Sequence, residues 1–333
     1  MSIPKLTVAV PTLAADGALE ECLRSLERQT FGDFEVVVID NGGGSRELAE
    51  GNRVRVIVNA RNAGFGAAVN QAWRSSQAPY VAALNDDCRA DAQWVEALVQ
   101  CANAHPRAGM FASQVRLSPV ALDSAGMLIA ADGSGKQRGH LQPPRDFSTA
   151  VEVLFPSGSA AMYRRDMLDQ TGAFDETFFL YCEDVDLGLR ARWAGWECLY
   201  VPGAIVEHRY STSAGSASLL KAYYVERNRL YTILKNFPVR LLWRAPLAAS
   251  ARYFWHAIGI PARRGKAAEF RRQGRSALWL PWLVFRAHAA ALVRLPRLLK
   301  QRRRILGSRR IPIGKFVEAM ERHRIPVREV AAL

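Results

Sequence analysis

Three absences limit the kinds of protein that this sequence can encode. It has five cysteines in 333 residues, scattered and without a CxxC pair, so neither a disulfide framework nor a zinc site is indicated. No run of about 20 mostly uncharged apolar residues is present, so no membrane-spanning helix is predicted. The start, MSIPKLTVAVPT, lacks a basic segment followed by an apolar core, so we expect no signal peptide and a cytoplasmic location.

Acidic residues are scarce in only one part of the chain. From residue 219 onward there are 26 Lys and Arg but 5 Asp and Glu, whereas the first 218 residues carry a net charge of −7. We therefore divide the chain into a domain over residues 1–218 and a basic, Trp- and Arg-rich helical region over residues 219–333. Such an asymmetry indicates a partner rich in phosphate for the basic region, either an anionic membrane surface or a nucleic acid.

Strand and helix patterns alternate along the first 218 residues. The strand patterns are short, apolar and rich in β-branched residues, and they alternate with segments of helical spacing. This alternation predicts an α/β fold with a mostly parallel sheet that is covered by helices on both faces. The predicted strands are Leu6–Val10, Phe34–Ile39, Val54–Val58, Tyr80–Leu84, Met110–Leu117, Val151–Phe155, Cys198–Val201 and Ala204–Val206.

Polar residues follow two of these strands directly. Asp40 comes after the second strand, and Asn85, Asp86 and Asp87 come after the fourth. Because ligands bind beyond the carboxyl ends of parallel strands, we expect these side chains to line a binding site. Taken alone, Asp40 also suits an ordinary turn that opens a Gly-rich loop.

The stretch Phe178–Trp196 sets three carboxylates at the start of a predicted helix. Glu183, Asp184 and Asp186 suit a first helical turn, where the helix dipole favours negative charge. Asp186 and Arg190 have the spacing of an i,i+4 ion pair. From these residues alone, a structural role and a catalytic role are equally open.

Eight motifs follow one another between Leu6 and Asn236. They are VAVPT (8–12), VVIDNGGGS (37–45), NAGFGAAVNQA (62–72), LNDDC (84–88), PSGSAAMYRR (156–165), FDETFFLYCEDVDLGLRARWAGW (174–196), His208 and YYVERNRLYTILKN (223–236). In order and spacing the set resembles the inverting family-2 glycosyltransferases with the GT-A fold, most closely their bacterial rhamnosyltransferase-like branch. The resemblance implies that residues 1–218 are a GT-A catalytic domain with a mixed, mostly parallel sheet.

The resemblance also implies an activity. It implies inverting transfer of a sugar from a nucleotide sugar to a hydroxyl of a lipid-linked or cell-envelope glycan, and dTDP-L-rhamnose is the donor that it favours. A UDP-hexose transferase of the same family is the nearest alternative. The alternative from another class is a non-catalytic scaffold subunit that binds a nucleotide sugar.

Residue roles follow from the matching positions. Asp184 is the expected general base, and Glu183 is its supporting neighbour. Asp87 and His208 are the expected ligands of Mg²⁺ or Mn²⁺, although a lone histidine after a strand also suits a structural role. Asn85 replaces the first aspartate of the family's DxD element, which weakens the charge around the metal. The expected nucleotide-sugar-binding residues are Pro11, Thr12, Asp40, Arg61, Asn62, Asn85 and Asp86.

One long segment shows neither pattern. Ala131–Asp146 is rich in Gly, Pro and charged residues and has no periodicity. A loop of this length in a compact domain is usually mobile and functional, or disordered. We therefore expect it to be a loop that takes part in binding the acceptor.

The basic region has three interpretations. Arginines interrupt the apolar stretches Leu241–Ile260 and Ala277–Leu299, and we expect Pro246 and Pro281 to break helices there. We favour helices that lie in an anionic interface on the inner face of the cell membrane. The second interpretation is a basic helical domain whose tryptophans form its own core or a homodimer interface. Nucleic-acid binding is disfavoured because no nucleic-acid motif accompanies the charge.

Overall fold

The structure is a computed structural model that describes residues 3–13, 17–42, 53–209, 219–259 and 279–332. The end of the VVIDNGGGS motif and the first residues of Ala277–Leu299 lie outside the described residues, as does Ile260.

Strands form one large sheet and one hairpin. Eight strands lie in the order β10-β12-β6-β11-β4-β1-β2-β3, β5 pairs with β12, β7 pairs with β6, and β8 and β9 form a separate two-stranded sheet. The strands are β1 (Leu6–Thr12), β2 (Phe34–Asp40), β3 (Val54–Val58), β4 (Tyr80–Leu84), β5 (Cys88–Ala90), β6 (Ala108–Ser118), β7 (Ala121–Ser124), β8 (Met127–Ile129), β9 (Gly135–Gln137), β10 (Val151–Glu152), β11 (Ala160–Arg164) and β12 (Glu197–His208).

Helices cover the sheet and make up most of the described basic region. Short 3-10 turns occur at Pro144–Phe147 and Glu176–Phe178. The α-helices are α1 (Gly17–Glu27), α2 (Phe65–Arg74), α3 (Trp94–Ala104), α4 (Arg165–Thr171), α5 (Glu183–Trp193), α6 (Leu219–Asn236), α7 (Val239–Leu242), α8 (Ala245–Gly259), α9 (Trp279–Gly307), α10 (Ile313–Arg322) and α11 (Val327–Ala332).

The large sheet is mixed, because an antiparallel strand joins two groups of parallel strands. Strands β3, β2, β1 and β4 are parallel, as are β6 and β12, while β11 runs antiparallel between β4 and β6. Alternate residues of β1 belong to opposite cores: Val8 is in the core that includes Leu19 of α1, and Ala9 is in the core that includes Ala68 of α2. The predicted fold, a mixed sheet flanked by helices with a basic helical region after it, is confirmed.

Two strand predictions need correction. The stretches predicted as Cys198–Val201 and Ala204–Val206 form one strand, β12, whose register against β6 shifts between Val201 and Ile205. Only the first two residues of Val151–Phe155 are extended in the sheet. The apolar residues that follow are buried without pairing as a strand.

The structure bears on one of the two predicted helix breaks, since α7 ends at Leu242 and α8 begins at Ala245, one residue before Pro246. Pro281 is the third described residue of α9, and because the residues before Trp279 lie outside the described ranges, a break there stays a prediction. Pro246 is the second residue of α8. A proline in a first turn removes no intrahelical hydrogen bond, because the N–H groups there have no partner within the helix. Among the described residues, no helix is both long enough and apolar enough to cross a membrane.

Ala131–Asp146 has more order than its sequence indicates. It contains β9 and a 3-10 turn, and Asp132 within it is fully buried. Arg252 of α8 donates from Nε to Asp132 Oδ2 over 2.6 Å, and Arg229 of α6 donates from Nη1 to the Asp132 carbonyl over 2.6 Å. Partners about 100 residues away therefore order the segment, whose role with an acceptor stays a prediction.

The arginines that bind Asp132 are held within the basic region by a buried glutamate. Glu226 of α6 accepts from Arg252 Nη2 over 2.7 Å and from Tyr253 Oη over 2.5 Å, and it also pairs with Arg229. Although burial opposes its ionisation, the charges of Arg229 and Arg252 lower the pKa of Glu226 to about 2. The division at residue 218 stays a prediction, based on charge.

This network makes the stability of the fold depend on pH. Glu226 stabilises the fold fully above its ordinary pKa of 4.5, and the contribution is lost as pH falls from there towards about 2. We expect Glu226→Gln to lower the free energy of unfolding at pH 7 by about 3 kcal/mol, because it leaves two buried guanidinium groups short of a counter-charge. Urea unfolding of wild type and Glu226→Gln between pH 7 and pH 2.5 measures this free energy.

The difference between wild type and Glu226→Gln is expected to shrink as pH falls below 4.5. Glu318→Gln is the matched control, since Glu318 is exposed on α10 and pairs with an exposed arginine. A difference that stays constant down to pH 2.5 would contradict the assignment.

Candidate active site

The expected nucleotide-binding residues of β1 and β2 lie at one edge of the sheet. Pro11 and Thr12 end β1, and Thr12 pairs in register with Asp40, the last residue of β2. Thr12 and Asp40 are both buried. Asp40 Oδ1 accepts the N–H of Gly42 over 2.8 Å, and the Thr12 carbonyl accepts the N–H of Asn41 over 2.8 Å. A buried carboxylate is therefore fixed where the Gly-rich loop begins.

Arg61 and Asn62 lie in the loop that connects β3 to α2. Arg61 is exposed, and Asn62 Oδ1 accepts the N–H of Gly64 over 2.8 Å. The next residue, Phe65, donates its N–H to the Phe179 carbonyl over 2.9 Å. Gly64 has φ of 86°, and a Cβ there would lie 2.3 Å from that carbonyl oxygen. The NAGFG motif thus packs directly against the segment before α5.

Asp87 and His208 come together because β12 pairs with β5. His208, the last residue of β12, is paired with Cys88, and its Nε2 lies 3.2 Å from Asp87 Oδ1. Its Nδ1 lies 3.2 Å from Asp123 Oδ2. Burial opposes a charge on His208, but its hydrogen bonds to Asp123 and Asp87 raise its pKa to about 9. The two predicted metal ligands are thus in contact.

Asp123 is a site residue that no local pattern in the sequence marks. It lies on β7, and its Oδ1 is 3.4 Å from Nδ1 of His140. Despite burial, the hydrogen bonds from His140 and His208 lower its pKa to about 2. Asp123 therefore stays ionised and holds His208 by the ring nitrogen that points away from Asp87.

The donor atoms around Asp87 fit a hard or borderline divalent cation. Asp87, Cys88 and His208 offer ligand atoms within 4.8 Å of one another. Burial raises the pKa of the Cys88 thiol well above its ordinary value, and the thiol donates to the Ser159 carbonyl over 3.7 Å. The remaining carboxylate and imidazole suit Mg²⁺ or Mn²⁺, and the carboxylate behind His208 is usual for metal-binding histidines.

Asp184 is fixed by backbone donors at the start of α5. Its Oδ2 accepts the N–H of Gly158 over 3.1 Å, and its Oδ1 accepts the N–H of Val185 over 2.8 Å. Burial raises the pKa of Asp184. Burial and the charge of Asp184 raise the pKa of Glu183 to about 8, and Oε2 of Glu183 is buried without a hydrogen-bond partner among the described residues.

Asp186 has a different environment from its two neighbours. It accepts from Arg190 Nε over 2.9 Å, from Asn236 Nδ2 over 2.8 Å and from Lys235 Nζ over 2.8 Å. Burial works against its ionisation, but the charges of Lys235 and Arg190 lower its pKa. The pair of Asp186 with Arg190 is present as predicted, and these contacts of Asp186 are structural.

Gly158 and Ser159 connect the two groups of site residues. The Ser159 carbonyl accepts the N–H of Asn85 over 2.9 Å, so Ser159 holds the turn that contains Asp86 and Asp87. Gly158, one residue earlier, donates to Asp184 over 3.1 Å. Two consecutive residues of the PSGS motif therefore set the position of Asp184 relative to the Asn85–Asp87 turn.

The segment Phe179–Cys182 has an unusual backbone. Three of its four residues have φ between 65° and 68°, a left-handed conformation that is rare without glycine. Asn228 of α6, fully buried, holds the segment with Nδ2, which lies 2.7 to 2.9 Å from the carbonyl oxygens of Phe178, Leu180 and Tyr181. The YYVERNRL motif thus helps to place Asp184, a role that its sequence does not indicate.

Comparisons with known proteins agree with this geometry. A model described as glycosyl transferase family 2 matches residues 7–172, and one described as glycosyl transferase family group 2 matches residues 145–304. The chain is 32% identical over 279 residues to the N-acetylglucosaminyl-diphospho-decaprenol L-rhamnosyltransferase of Mycobacterium tuberculosis, which covers 74% of this chain and 89% of the relative. The chain belongs to glycosyltransferase family 2. Its rhamnosyltransferase-like branch, predicted from the motifs, is confirmed.

More distant proteins also match. The O-antigen biosynthesis protein RfbC of Myxococcus xanthus is 24% identical over 236 residues, which is 66% of this chain and 18% of RfbC. The structure of GalNAc-T7 with UDP, GalNAc and Mn²⁺ has a TM-score of 0.54 at 14% identity and covers 70% of this chain and 51% of GalNAc-T7. This likeness confirms the GT-A fold.

Proposed function

We propose that this glycosyltransferase transfers L-rhamnose from dTDP-L-rhamnose to a hydroxyl of a lipid-linked glycan, with inversion of the anomeric carbon. The mycobacterial relative supports the donor and the acceptor class, since its name describes rhamnosyl transfer to a sugar on a polyprenyl diphosphate. The observation that carries the proposal is the placement of Asp184 by Gly158, the residue directly before Ser159, whose carbonyl holds the Asn85–Asp87 turn.

Asp184 is the proposed general base. The acceptor oxygen attacks the anomeric carbon from the face opposite the diphosphate and forms the new C–O bond, while the bond to the diphosphate breaks and its electron pair leaves with the phosphate oxygen. The acceptor proton passes to a carboxylate oxygen of Asp184. Its raised pKa suits this step, because a more basic carboxylate takes the proton more readily. Burial and the charge of Asp184 raise the pKa of Glu183 to about 8, which disfavours a second negative charge beside Asp184.

The sheet edge is proposed to bind the nucleotide. Asp40 is buried at the end of β2, where its carboxylate would accept the N3–H of thymine or uracil, and Pro11 and Thr12 flank the same position. Arg61 and Asn62 follow β3 and are proposed to reach the diphosphate or the base. Asn85 and Asp86 lie on the turn after β4 and complete the donor side.

Asp87 and His208 are proposed to hold Mg²⁺ or Mn²⁺. A divalent cation bound there neutralises the charge that develops on the diphosphate leaving group. Asp123 keeps the ring of His208 oriented, with Nε2 directed to Asp87. The substitution of Asn85 for an aspartate leaves this site with fewer negative charges than the family's DxD element provides.

Asp184→Asn is expected to lower kcat for transfer by about a thousandfold or more, because an amide cannot take up the acceptor proton. Binding of dTDP is expected to change less than about twofold, since Asp184 lies on the acceptor side. Initial rates with dTDP-L-rhamnose and a diphosphate-linked N-acetylglucosamine acceptor measure the first quantity, and calorimetric titration with dTDP measures the second.

Asp166→Asn, at an exposed acidic position in the first turn of α4, is the control for Asp184→Asn. Full turnover by the Asp184 variant would remove Asp184 from the role. Turnover with UDP-hexoses but not with dTDP-L-rhamnose would favour the UDP-hexose alternative, and no turnover or donor hydrolysis by wild type would favour the scaffold alternative.

His208→Ala is expected to weaken Mn²⁺ binding tenfold or more, because it removes one of the two proposed ligands together with the imidazole that now contacts Asp87. Titration of free Mn²⁺ by electron paramagnetic resonance measures this without turnover. His105→Ala, at an exposed position after α3, is the matched control. Equal Mn²⁺ affinity in wild type and both variants would refute the assignment of His208.

The basic region is proposed to dock on the anionic inner face of the cell membrane, with the enzyme in the cytoplasm. Large apolar side chains are exposed there, including Trp243 at 79%, Phe285 at 62% and Trp282 at 48%. Trp243 and Trp282 therefore lie outside a core of the chain, whereas the homodimer interface of the second interpretation stays open. Exposed aromatic residues beside arginines suit a membrane interface. A second copy of the chain and a nucleic acid are the other partners that such a surface could bind.

Replacement of Trp282 and Phe285 together by serine is expected to reduce flotation with phosphatidylglycerol vesicles at least fivefold, because two interfacial aromatic residues are lost. Val120→Ser is the control, since Val120 is 75% exposed but lies on the first domain between β6 and β7. The membrane proposal fails if wild type does not float, or if the double variant floats as wild type does.

A further inference from the structure

A cluster of cations and aromatic rings adjoins the segment that precedes Asp184. Four of its members lie on α6, one on that segment and one on α9. We call it the cation–aromatic cluster, and its residues are Tyr181, Lys221, Tyr223, Tyr224, Arg227 and Arg286.

Ring contacts connect the cluster to the acceptor side of the site. The ring of Phe179 lies 5.3 Å from that of Tyr224, and Tyr224 lies 5.3 Å from Tyr223, centroid to centroid. Lys221 Nζ lies 5.3 Å from the ring centroid of Tyr181, three residues before Asp184. A ligand on these rings would therefore lie beside the segment that precedes the proposed base.

Two arginines give the cluster positive charge. The guanidinium of Arg227 lies 4.6 Å from the Tyr224 centroid, and the exposed guanidinium of Arg286 lies 5.0 Å from the Tyr223 centroid. Arg227 also donates to the backbone before α5, so part of its hydrogen-bonding capacity is used. Arg286 lies on α9, which holds seven Lys and Arg and no Asp or Glu, and no acidic partner for it appears in the described ranges.

Beyond Arg286 the surface is apolar. Trp282 and Phe285 on the same helix stack with centroids 5.6 Å apart and are 48% and 62% exposed. The contacts thus run from the base segment, through tyrosine rings, to an exposed cation, and then to exposed apolar rings. The chemical groups of a sugar linked to a polyprenyl diphosphate follow a matching order, which is a sugar, two phosphates and an apolar chain.

From this order we infer that the cation–aromatic cluster binds the diphosphate of the lipid-linked acceptor, with Arg286 contacting it directly. Guanidinium groups bind phosphate oxygens through paired N–H donors, and the tyrosine hydroxyls add neutral donors. The donor's own diphosphate is assigned to the Asp87–His208 side of the sheet, so the two diphosphates occupy different places. This inference rests on the proposed function, because it names how the same site recognises its acceptor.

Direct binding to the full chain tests the inference. The probes are the N-acetylglucosaminyl diphosphate of a short prenol and, without phosphate, an octyl N-acetylglucosaminide, each titrated in the presence of dTDP and Mn²⁺. Arg286→Gln is expected to weaken binding of the diphosphate probe about five- to tenfold, as loss of one charge-assisted contact implies. Its affinity for the octyl glycoside is expected to stay unchanged.

Arg304→Gln is the matched control, since Arg304 is exposed on the same helix, 18 residues or about 27 Å further along. It is expected to bind both probes as wild type does. Phosphatidylglycerol vesicles without acceptor form a third arm, in which the two variants are expected to lose affinity equally, each by one charge.

The inference is overturned if wild type does not prefer the diphosphate probe, or if Arg286→Gln and Arg304→Gln bind it equally. It is also overturned if Arg286→Gln weakens only vesicle binding, which would assign Arg286 to lipid headgroups. Because these titrations need no turnover, a protein that binds the diphosphate probe through Arg286 but transfers no sugar refutes the proposed function and leaves the inference standing.

Discussion

The position of the proposed base depends on one buried amide. Left-handed backbone at a residue other than glycine costs about 1 to 3 kcal/mol, and three such residues occur in Phe179–Cys182. Asn228 offsets this cost, because its Nδ2 lies within hydrogen-bond distance of three carbonyl oxygens, those of Phe178, Leu180 and Tyr181. Since Asn228 lies on α6, beyond the charge boundary at residue 218, the geometry around Asp184 requires the basic region to be folded against the sheet domain.

Three carboxylates in one helical turn acquire different properties from their partners. Asp186 meets Lys235 and Arg190, and their charges lower its pKa. Glu183 is equally buried, but burial and the neighbouring charge of Asp184 raise its pKa to about 8. Asp184 accepts from the backbone N–H groups of Gly158 and Val185, which fix its orientation without neutralising it. The positive charges beside Asp186 and their absence from the described contacts of Asp184, more than the spacing of the carboxylates, distinguish the proposed base from a structural carboxylate.

Local sequence patterns predict the structural elements that are determined by residues near one another in the sequence. Apolar β-branched runs predicted the strands of the sheet, and the residues after β2 and β4 lie together at its edge as expected from the geometry of parallel strands. Asp123 could not be found in this way, because its partner His208 comes from a strand at the far end of the domain. Asn228 was in a recognised motif, but its acceptors are backbone carbonyls, which no residue type reveals.

The same limit explains why charge composition describes the basic region only in part. Some of its cations are buried and neutralise acids of the first domain, as Arg252 does for Asp132 and Lys235 does for Asp175. These pairs stabilise the junction and leave nothing for a partner outside the chain. Arg286 differs from these cations, because it is exposed, lies over the ring of Tyr223 and shares its helix with the exposed rings of Trp282 and Phe285. A ligand that carries both an anionic group and an apolar group therefore complements this surface better than a purely anionic ligand.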